Sequence, residues 1–597
     1  MIRYVSTLLD ASVASRRPAR PLFPSRLLVE WESDKIDVAS AKDSYQGKAR
    51  PSLYSQTRHE LARGAREKTA MHRPASPFVV ILALALTGLL GACTHHQAYR
   101  TELMSGPFLN CDLAGFEHPE DTEAGKRCEH VTPEVAEGAY ELHFVEFDDQ
   151  GWLYPDPAPA GNAPVGRPAC KKSPSGKMPA NNPSCQIDHL MARLSELLER
   201  GDDLSIVVFV HGWKHNASLG DGNVQVFRKL LQAVSVDEKY KSTHGRTARK
   251  VVGVYVGWRG KSWPVSDPLL NLSFWTRKDA ARRVSVGSAR ELFARLRSLQ
   301  RHYNLSAARA AADGDAAIAP SETGVRPRIR TLMIGHSFGG LILYASTFSS
   351  LIEVLSAQRD LPANQIGHDA AERIADMIVL INPAFEASRF EPLYQVASQY
   401  SSRSIQPPLF VSVTSVSDLA TKYAFPAGRS VNTLFEHPVS SNAEDTAMKN
   451  TPGHMDTYLT HRLWATPQEW ATATNSRLPG GMDALCPHWD ADAAFGKTPL
   501  SPKVAIAMLQ NKAIEERNAK QFFAANTAGT SLKPGWHRAF CGGPFLVPVS
   551  NDDTDNANAV VWNVEVSEAV IDGHNDIMNP VFVNFLRQLY ADVSLGY

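Results

Sequence analysis

Apolar residues from about residue 200 onward fall into short continuous runs, separated by longer stretches with helical spacing. A short continuous run is typical of a strand buried on both faces, as in the centre of a parallel sheet. Such runs occupy 204–210, 250–256, 330–334, 377–381, 409–414 and 559–564. Helical spacing occurs at 224–234, 286–302, 340–355 and 580–589. This alternation predicts an α/β fold with a mostly parallel central sheet flanked by helices.

Two segments depart from this alternation. Residues 94–200 are interpreted as a linker and an amino-terminal hairpin region, because 139–147 alternates like a strand and a turn follows it. Residues 466–555 contain little that is periodic apart from one helical stretch, which predicts a carboxyl-side insertion or cap. The predicted core therefore spans 201–465 and resumes with a last strand and helix at 556–597.

The charge balance gives no case for nucleic-acid binding. The 62 lysines and arginines equal the 62 aspartates and glutamates, so the formal net charge is zero. Hydrophobic residues make up 43% of the chain, an ordinary share for a folded protein with a sizeable core. We therefore expect no nucleic-acid partner.

An export signal is predicted around residue 71. Residues 1–70 are rich in Arg, Ser, Ala and Pro and lack periodicity, which indicates a segment that is disordered or not translated. Met71 precedes a weakly positive start, an apolar stretch at 78–90 and then Leu90-Gly91-Ala92-Cys93. The apolar stretch is shorter than the roughly 20 residues that span a bilayer. We therefore interpret 71–93 as a signal peptide, with translation starting at Met71.

The last four residues of this signal resemble the lipobox of bacterial lipoproteins. The resemblance implies that Cys93 is acylated and becomes the first mature residue. Thr94 stands where an inner-membrane retention signal has Asp, which by the same resemblance indicates the outer membrane. The expected location is the bacterial cell envelope, with the chain lipid-anchored to a membrane and facing the periplasm or the exterior.

The other cysteines predict disulfides. Setting Cys93 aside leaves six of the seven, an even number in a chain that we expect to be exported. We expect neighbours in sequence to pair, although six cysteines allow other pairings. The expected pairs are Cys111 with Cys128, Cys170 with Cys185, and Cys486 with Cys541. Zinc is the alternative, but no C-x-x-C or paired-histidine spacing supports a metal site.

The sharpest local motif is Gly335-His336-Ser337-Phe338-Gly339, between the apolar run 330–334 and the helical stretch 340–355. It fits G-x-S-x-G, the nucleophile elbow, in which the serine lies on a tight turn from a strand into a helix. Such a turn needs little bulk beside the serine, and the amino end of the helix favours developing negative charge. Ser337 is therefore the predicted nucleophile.

Three other strand ends supply candidate partners for Ser337. His211-Gly212-Trp213 follows the first apolar run, and Asp418 lies just past the fifth. His574 stands between the last predicted strand and the last predicted helix. Ligand sites of open parallel sheets lie at such carboxyl ends of strands, so we expect these residues to lie near Ser337.

These assignments have alternatives. They are Glu386 as the acid, and His454 or His461 as the base. We favour His574 as the base because only it precedes a terminal helix. His211 is interpreted as a brace for its own loop, and His336 as a packing or pocket residue.

With a serine, an aspartate and a histidine in the order Ser337, Asp418 and His574, the chain resembles the esterase and lipase branch of the α/β-hydrolase superfamily. The resemblance covers roughly residues 200–465 and 555–597. It rests on the elbow, the His-Gly strand end and the terminal Gly-His, and it implies the α/β-hydrolase fold for the core.

The family mechanism implies a role for each residue. Ser337 would attack an ester carbonyl, His574 would take its proton, and Asp418 would orient His574. The backbone N–H groups of Phe338 and Trp213 would form the oxyanion hole. The resemblance implies no metal and no organic cofactor.

These features predict an exported, lipid-anchored serine hydrolase that acts on ester or lipid-like small-molecule substrates through an acyl-enzyme. A thioesterase, a phospholipase or an amidase with the same triad is the alternative among enzymes, because the substrate pockets lie in variable loops. A non-catalytic α/β-hydrolase scaffold and an envelope structural protein are the alternatives outside enzymes.

Overall fold

The computed structural model of the chain describes residues 98, 140–154, 184–218, 221–243, 248–261, 273–312, 328–359, 373–399, 407–433, 442–478, 502–528, 531–532, 535–549 and 560–593. Several predicted features lie outside these ranges: the signal peptide at 71–93, the lipidated Cys93, and Cys111, Cys128, Cys170 and Cys486. Cys185 and Cys541 are buried, and each of them takes part in a disulfide. The pairing scheme as a whole stays a prediction.

Within the described ranges, ten strands form one sheet. They are β1 (Tyr140–Phe147), β2 (Leu204–Val210), β3 (Lys250–Trp258), β4 (Ile329–His336), β5 (Met377–Ile381), β6 (Phe410–Ser415), β7 (His461–Trp464), β8 (Arg538–Ala539), β9 (Phe545–Pro548) and β10 (Val561–Val566). Two further short strands, Thr527–Ala528 and Ser531–Leu532, pair with each other outside this sheet.

The order across the sheet is β1-β3-β2-β4-β5-β6-β10-β7-β9-β8. Neighbouring strands are parallel from β1 through β7 in this order, and β9 is antiparallel to both β7 and β8. The predicted α/β class with a mostly parallel sheet is confirmed. Because the central strands run in one direction, their carboxyl ends lie on the same side of the sheet. The segments that follow β2, β4, β5, β6 and β10 therefore lie close together on that side.

Helices cover both faces of the sheet. They are α1 (Gln186–Glu199), α2 (Gly222–Thr243), α3 (Phe274–Val286), α4 (Ser288–Ala312), α5 (Phe338–Arg359), α6 (Ala387–Gln399), α7 (Phe425–Asn432), α8 (Asn442–Lys449), α9 (Pro467–Thr474), α10 (Pro502–Asn526) and α11 (Pro580–Val593). A π-helical turn, Ala420–Ala424, leads into α7, and two 3₁₀ turns, Pro452–His454 and Asp456–Tyr458, precede β7.

Side chains of the central strands alternate between two cores. In β2, Ile206 and Val208 face one core, whereas Val207 and Phe209 face the other. The first core is covered by α1, α3, α4, α5 and α6, and the second by α2 and α11. Every residue of β2 is buried, which explains why its sequence is continuously apolar instead of alternating.

The helix after the elbow is the centre of the first core. Leu341, Ile342 and Leu343 of α5 are fully buried, and each such side chain contributes roughly 1.5–3 kcal/mol of hydrophobic stabilisation. The described stretch Phe338–Ala357 is long and apolar enough to cross a membrane, and most of it is buried within the protein. Its position between the sheet and α3 accounts for its apolar character.

The structure differs from the predicted elements in three places. Residues 140–147 join the main sheet as the parallel neighbour of β3, and the expected return strand is reduced to one bridge between Phe147 and Leu153. The single helix expected at 286–302 is part of two helices, α3 and α4, with Gly287 between them. The segment 466–555, predicted as an insertion or cap, contributes β8 and β9 to the edge of the sheet.

Candidate active site

Ser337 occupies the turn between β4 and α5. Its backbone is left-handed, with φ of 55°, a conformation that costs a non-glycine residue roughly 1–2 kcal/mol. Its N–H donates to the Ile381 carbonyl at 3.0 Å, and its own carbonyl accepts from the Leu341 N–H at 3.3 Å. These bonds to β5 and α5 hold the strained turn in place, so the hydroxyl has a defined position.

The two glycines of the motif are required by close approach of other backbone. A Cβ on Gly339 would lie 2.1 Å from the Val210 carbonyl oxygen, and one on Gly335 would lie 2.8 Å from the Gly339 oxygen. Any side chain at these positions would push α5 away from the ends of β2 and β4. The G-x-S-x-G spacing is therefore explained by packing around the turn.

His574 lies between Ser337 and Asp418. Its Nε2 is 2.9 Å from the Ser337 Oγ, and its Nδ1 is 2.8 Å from the Asp418 Oδ2. With the carboxylate ionised, Nδ1 carries the proton and donates to Asp418, which leaves Nε2 free to accept from the Ser337 hydroxyl. The structure thus brings together all three predicted triad residues, which are far apart in sequence.

Asp418 is fully buried and strongly hydrogen-bonded. It accepts from the Thr421 hydroxyl at 2.6 Å and from the N–H groups of Ala420 and Thr421, at the start of the π-helical turn. Burial pushes the pKa of Asp418 upward, but the hydrogen bonds from His574 and Thr421 outweigh it and lower the pKa to about 2. The carboxylate therefore stays ionised at neutral pH.

The two alternative bases lie elsewhere. His454 hydrogen-bonds the Thr421 hydroxyl through Nε2 at 2.9 Å, so it supports the residue that holds Asp418. Burial lowers the pKa of His454 to about 4, which keeps it neutral. His461 is buried in β7, where its Nδ1 is 2.8 Å from the Thr460 hydroxyl and its ring packs on Trp562.

The alternative acid, Glu386, is engaged by cations and not by His574. Its carboxylate pairs with Lys278 and lies 2.9 Å from both Arg282 and Arg389, with Arg429 at 3.3 Å. Burial raises the pKa of Glu386, but Lys278 and the arginines outweigh it and lower the pKa to about 2. Glu386 thus links α3, α6 and α7 as the centre of a buried ion cluster.

Asn382 and His336 fix the loop that carries His574, and no role for Asn382 was predicted from the sequence. The Asn382 Nδ2 donates to the carbonyls of Gly573 and His574, both at 3.0 Å, and its Oδ1 accepts from the Ser415 N–H at 2.9 Å. His336 Nε2 donates to the same His574 carbonyl at 2.9 Å. The only sequence signal for Asn382 is its place at the end of a buried strand.

His336 is neutral as well as buried. Burial, with the nearby His574 and His215 adding to it, holds the pKa of His336 well below its ordinary value. A neutral ring can donate through Nε2 without placing a second positive charge beside His574. The predicted pocket or packing role is therefore refined to that of a hydrogen-bond support.

The loop after β2 lies directly against the nucleophile. A Cβ on Gly212 would lie 3.0 Å from the Ser337 Cβ, so the chain passes beside Ser337 with Trp213 next in sequence. Among the described residues, neither the Trp213 N–H nor the Phe338 N–H donates a hydrogen bond to a backbone carbonyl outside the helices and strands. These two residues adjoin Gly212 and Ser337, where the oxyanion donors of such a site are expected.

His211 braces this loop, as its sequence position suggested. The ring is buried, its Nδ1 donates to the Gly212 carbonyl at 2.8 Å, and its Nε2 accepts from the Trp258 N–H at 3.0 Å. The Trp258 indole returns a hydrogen bond to the His211 carbonyl at 2.8 Å. Burial lowers the pKa of His211 to about 4, so this brace is neutral.

An aromatic wall stands beside the two candidate oxyanion residues. The Phe274 ring centroid is 5.2 Å from that of Trp213 and 4.7 Å from that of Phe338. Trp275 and Phe425 extend the wall from Phe274 along α3 and α7. The surroundings of Ser337 on this side are therefore apolar.

Within the described ranges, no group of three or more His, Cys, Asp or Glu side chains is arranged to hold a metal ion. No protein-family model, no curated protein and no solved structure matches this chain. Function is therefore inferred from the geometry of this site.

Proposed function

We propose that this protein is a serine hydrolase of the α/β-hydrolase type that cleaves carboxylic esters through an acyl-enzyme. The observation that carries the proposal is the pair of hydrogen bonds from His574, at 2.9 Å to Ser337 and 2.8 Å to Asp418. The chain order of the three residues and the parallel sheet with an elbow after β4 support the fold assignment.

In the first half of the proposed reaction, the Ser337 Oγ attacks the ester carbonyl carbon while its proton moves to His574 Nε2. The oxyanion that forms is held by the N–H groups of Phe338 and Trp213. Asp418, ionised and buried, stabilises the charged imidazole. Collapse of the intermediate releases the alcohol, which takes its proton from His574, and leaves the acyl group on Ser337.

In the second half, a water molecule attacks the acyl-enzyme, and His574 removes its proton. The same oxyanion donors stabilise the second tetrahedral intermediate. Its collapse breaks the bond from the acyl carbon to the Ser337 Oγ, His574 returns the proton to that oxygen, and the carboxylic acid is released. Each step uses only groups of this chain, the ester and water.

The aromatic wall supports an apolar acyl group in the substrate. Phe274 packs against both candidate oxyanion residues, and we expect the acyl chain of a bound ester to lie beside it. A thioester, a phospholipid or an amide would use the same triad and remains the alternative substrate. Export, lipidation at Cys93 and attachment to the cell envelope remain part of the proposal.

Labelling by a fluorophosphonate probe tests whether Ser337 is a nucleophile. We expect covalent labelling of the wild-type protein and none of Ser337→Ala, because only an activated serine displaces fluoride from the probe. Ser430→Ala is the matched control, since Ser430 is an exposed serine on α7, and it should label like the wild type. A folded wild-type protein that does not label would favour the non-catalytic scaffold.

A panel of p-nitrophenyl esters then defines the substrate. We expect longer apolar acyl chains to be preferred over acetate, because the wall beside Phe338 is aromatic. Equal rates for all chain lengths would contradict the assignment of this wall to the acyl group.

Asn382→Asp tests the support of His574. The carboxylate would repel the Gly573 and His574 carbonyls that Asn382 now binds, and we expect kcat to fall about 10²-fold, the usual effect of misplacing a catalytic group by about 1 Å. KM for a short ester should change little, since Asn382 acts through His574. The control is Asn475→Asp, which should leave kcat unchanged. Asn475 and Asn382 both have left-handed backbone, with φ of 50° and 46°. An unchanged kcat in folded Asn382→Asp would refute this role.

A further inference from the structure

The ion cluster centred on Glu386 lies at the same edge of the sheet as Ser337. Glu386 follows the end of β5, and two residues before it the Ala384 N–H donates to the Ser337 carbonyl at 3.3 Å. Successive Cα atoms are about 3.8 Å apart, so the Glu386 Cα lies within about 8 Å of the Ala384 Cα. The cluster is therefore a neighbour of the triad.

Cations outnumber carboxylates in this cluster. Four cations pair with Glu386, namely Lys278, Arg282, Arg389 and Arg429. Among the described residues, the one further carboxylate that pairs with any of these cations is Asp279, 3.9 Å from Arg282. Fully ionised, the cluster holds four positive and two negative charges. Its surplus is then two positive charges.

The surplus persists when Lys278 loses its proton. Burial, with Arg282 and Arg429 adding to it, outweighs the attraction of Glu386 and lowers the pKa of Lys278 to about 7. With Lys278 neutral, the cluster still holds three positive and two negative charges. At least one positive charge is therefore unbalanced on either side of that pKa, and an unbalanced charge away from water is costly.

The three arginines also keep N–H groups that bind no acceptor in the described part of the chain. Arg389 reaches Glu386 through Nε at 2.9 Å, and Arg429 uses its Nε for the Met448 carbonyl at 3.2 Å. The Nη groups of these two side chains make no such bond. The Nε of Arg282 is buried and has no hydrogen-bond partner. An acceptor among the three guanidinium groups would complete these donors.

The cluster is buried at its centre and open at its rim. The side chains of Lys278 and Glu386 are 2% and 3% exposed, whereas those of Arg282 and Arg389 are 35% and 44% exposed. All four cations converge on one carboxylate, and three of them contact the same oxygen, the Glu386 Oε1. A ligand that arrives from solvent at the rim therefore meets several guanidinium groups at once.

Charge and donor geometry together indicate a phosphate group as the ligand. Guanidinium groups bind phosphate oxygens through paired N–H groups, so several arginines around one point suit an oxyanion. A phosphate group carries about 1.5 to 2 negative charges at pH 7, which matches the surplus of one to two positive charges. Water would accept the free N–H groups but would leave that charge without a counter-charge.

We propose that Arg282, Arg389 and Arg429 form a subsite that binds a phosphate group beside the active site. The phosphate oxygens accept hydrogen bonds from the free N–H groups of the arginines and offset the surplus charge around Glu386. The group is supplied either as free phosphate or as part of an ester substrate. In the second case the inference rests on the proposed hydrolase function and narrows its substrates to esters that carry a phosphate.

Calorimetric titration of the full chain with inorganic phosphate, against sodium chloride at equal ionic strength, tests the subsite without any catalysis. We expect saturable binding of phosphate, weakened about tenfold by Arg389→Gln and by Arg282→Gln, because each change removes a charge-assisted hydrogen bond and one surplus charge. Arg295→Gln is the matched control and should bind like the wild type. Arg295 is 36% exposed, but Asp188 and Glu291 balance its charge.

A pair of esters identifies the source of the phosphate. We compare kcat/KM for an acylglycerol phosphate with kcat/KM for the monoacylglycerol that has the same acyl chain. A tenfold fall in this ratio in Arg389→Gln assigns the subsite to the substrate, whereas an unchanged ratio with weakened phosphate titration assigns it to free phosphate. The proposal is wrong if phosphate gives no more binding than chloride, or if Arg389→Gln and Arg295→Gln bind phosphate equally well. Since the titration needs no turnover, that failure is distinct from a failure of the hydrolase function.

Discussion

Replacement of His574 by alanine is expected to lower kcat for an activated ester about 10⁵- to 10⁶-fold, the loss that follows when a triad base is removed. The imidazole is the only described group within hydrogen-bonding distance of the Ser337 Oγ, so no neighbour can take over the proton. Fluorophosphonate labelling should fall in parallel with kcat. Steady-state kinetics on a p-nitrophenyl ester measures the effect.

His454→Ala is the matched control for this prediction. His454 also follows a glycine and lies near the acid, but it contacts Thr421 and not the nucleophile. We expect a loss of less than about tenfold, through a slight displacement of the turn that holds Asp418. An equal loss in the two histidine variants would mean that His574 is not the base.

The second large effect is expected for Asp418→Asn, which should lower kcat about 10⁴-fold at neutral pH. An amide in place of the carboxylate no longer fixes the His574 tautomer and no longer stabilises the charged ring. The substitution keeps the shape of the side chain, so the protein should fold. Circular dichroism and the thermal midpoint check the fold, and kinetics with the same ester checks the rate.

Glu386→Gln separates the two acids that the sequence left open. We expect kcat to stay within a few-fold of wild type, because Glu386 binds four cations and not His574. The substitution should lower the free energy of unfolding by about 3 kcal/mol near pH 7, because the pKa of Glu386 falls from 4.5 to about 2 on folding. A 10⁴-fold loss of kcat in Glu386→Gln would reverse the assignment.

The stability difference between wild type and Glu386→Gln depends on pH in a definite direction. A carboxyl whose pKa is lowered by folding stabilises the folded state fully above its unfolded value, near 4.5, and ceases to do so as the pH falls through about 2. The difference in unfolding free energy between wild type and Glu386→Gln should therefore be largest above about pH 5 and should shrink in acid. Urea unfolding at several pH values measures it.

The elements that the sequence predicted best are those with a strong local cause. A strand buried on both faces must be apolar throughout, so β2, β4 and β5 stand out in the pattern of residues. Very short strands carry no such signal, and β7, β8 and β9, which have two to four residues each, are therefore absent from the prediction. Their pairing depends on neighbours contributed by distant segments, which a local pattern does not contain.

The support around His574 could not be predicted for the same reason. Asn382 lies 192 positions before the carbonyl that it binds, and Thr421 is an ordinary polar residue in sequence. Glu386 and Asp418 both follow buried strands, so their sequence contexts look alike. Only the fold separates them, since cations from α3, α6 and α7 surround Glu386 whereas the His574 loop reaches Asp418.

The site around Ser337 depends partly on local sequence and partly on tertiary structure. Its glycines and its place between a strand and a helix are local properties, and they specify the elbow because any side chain there would collide with adjacent backbone. The partners of Ser337 come from loops after β6 and β10, and their distances depend on the register of parallel strands. Local sequence therefore predicted the fold class and selected the candidate nucleophile. Tertiary packing alone decided which aspartate and which histidine reach it, because hydrogen bonds between distant segments form only when the sheet aligns their ends.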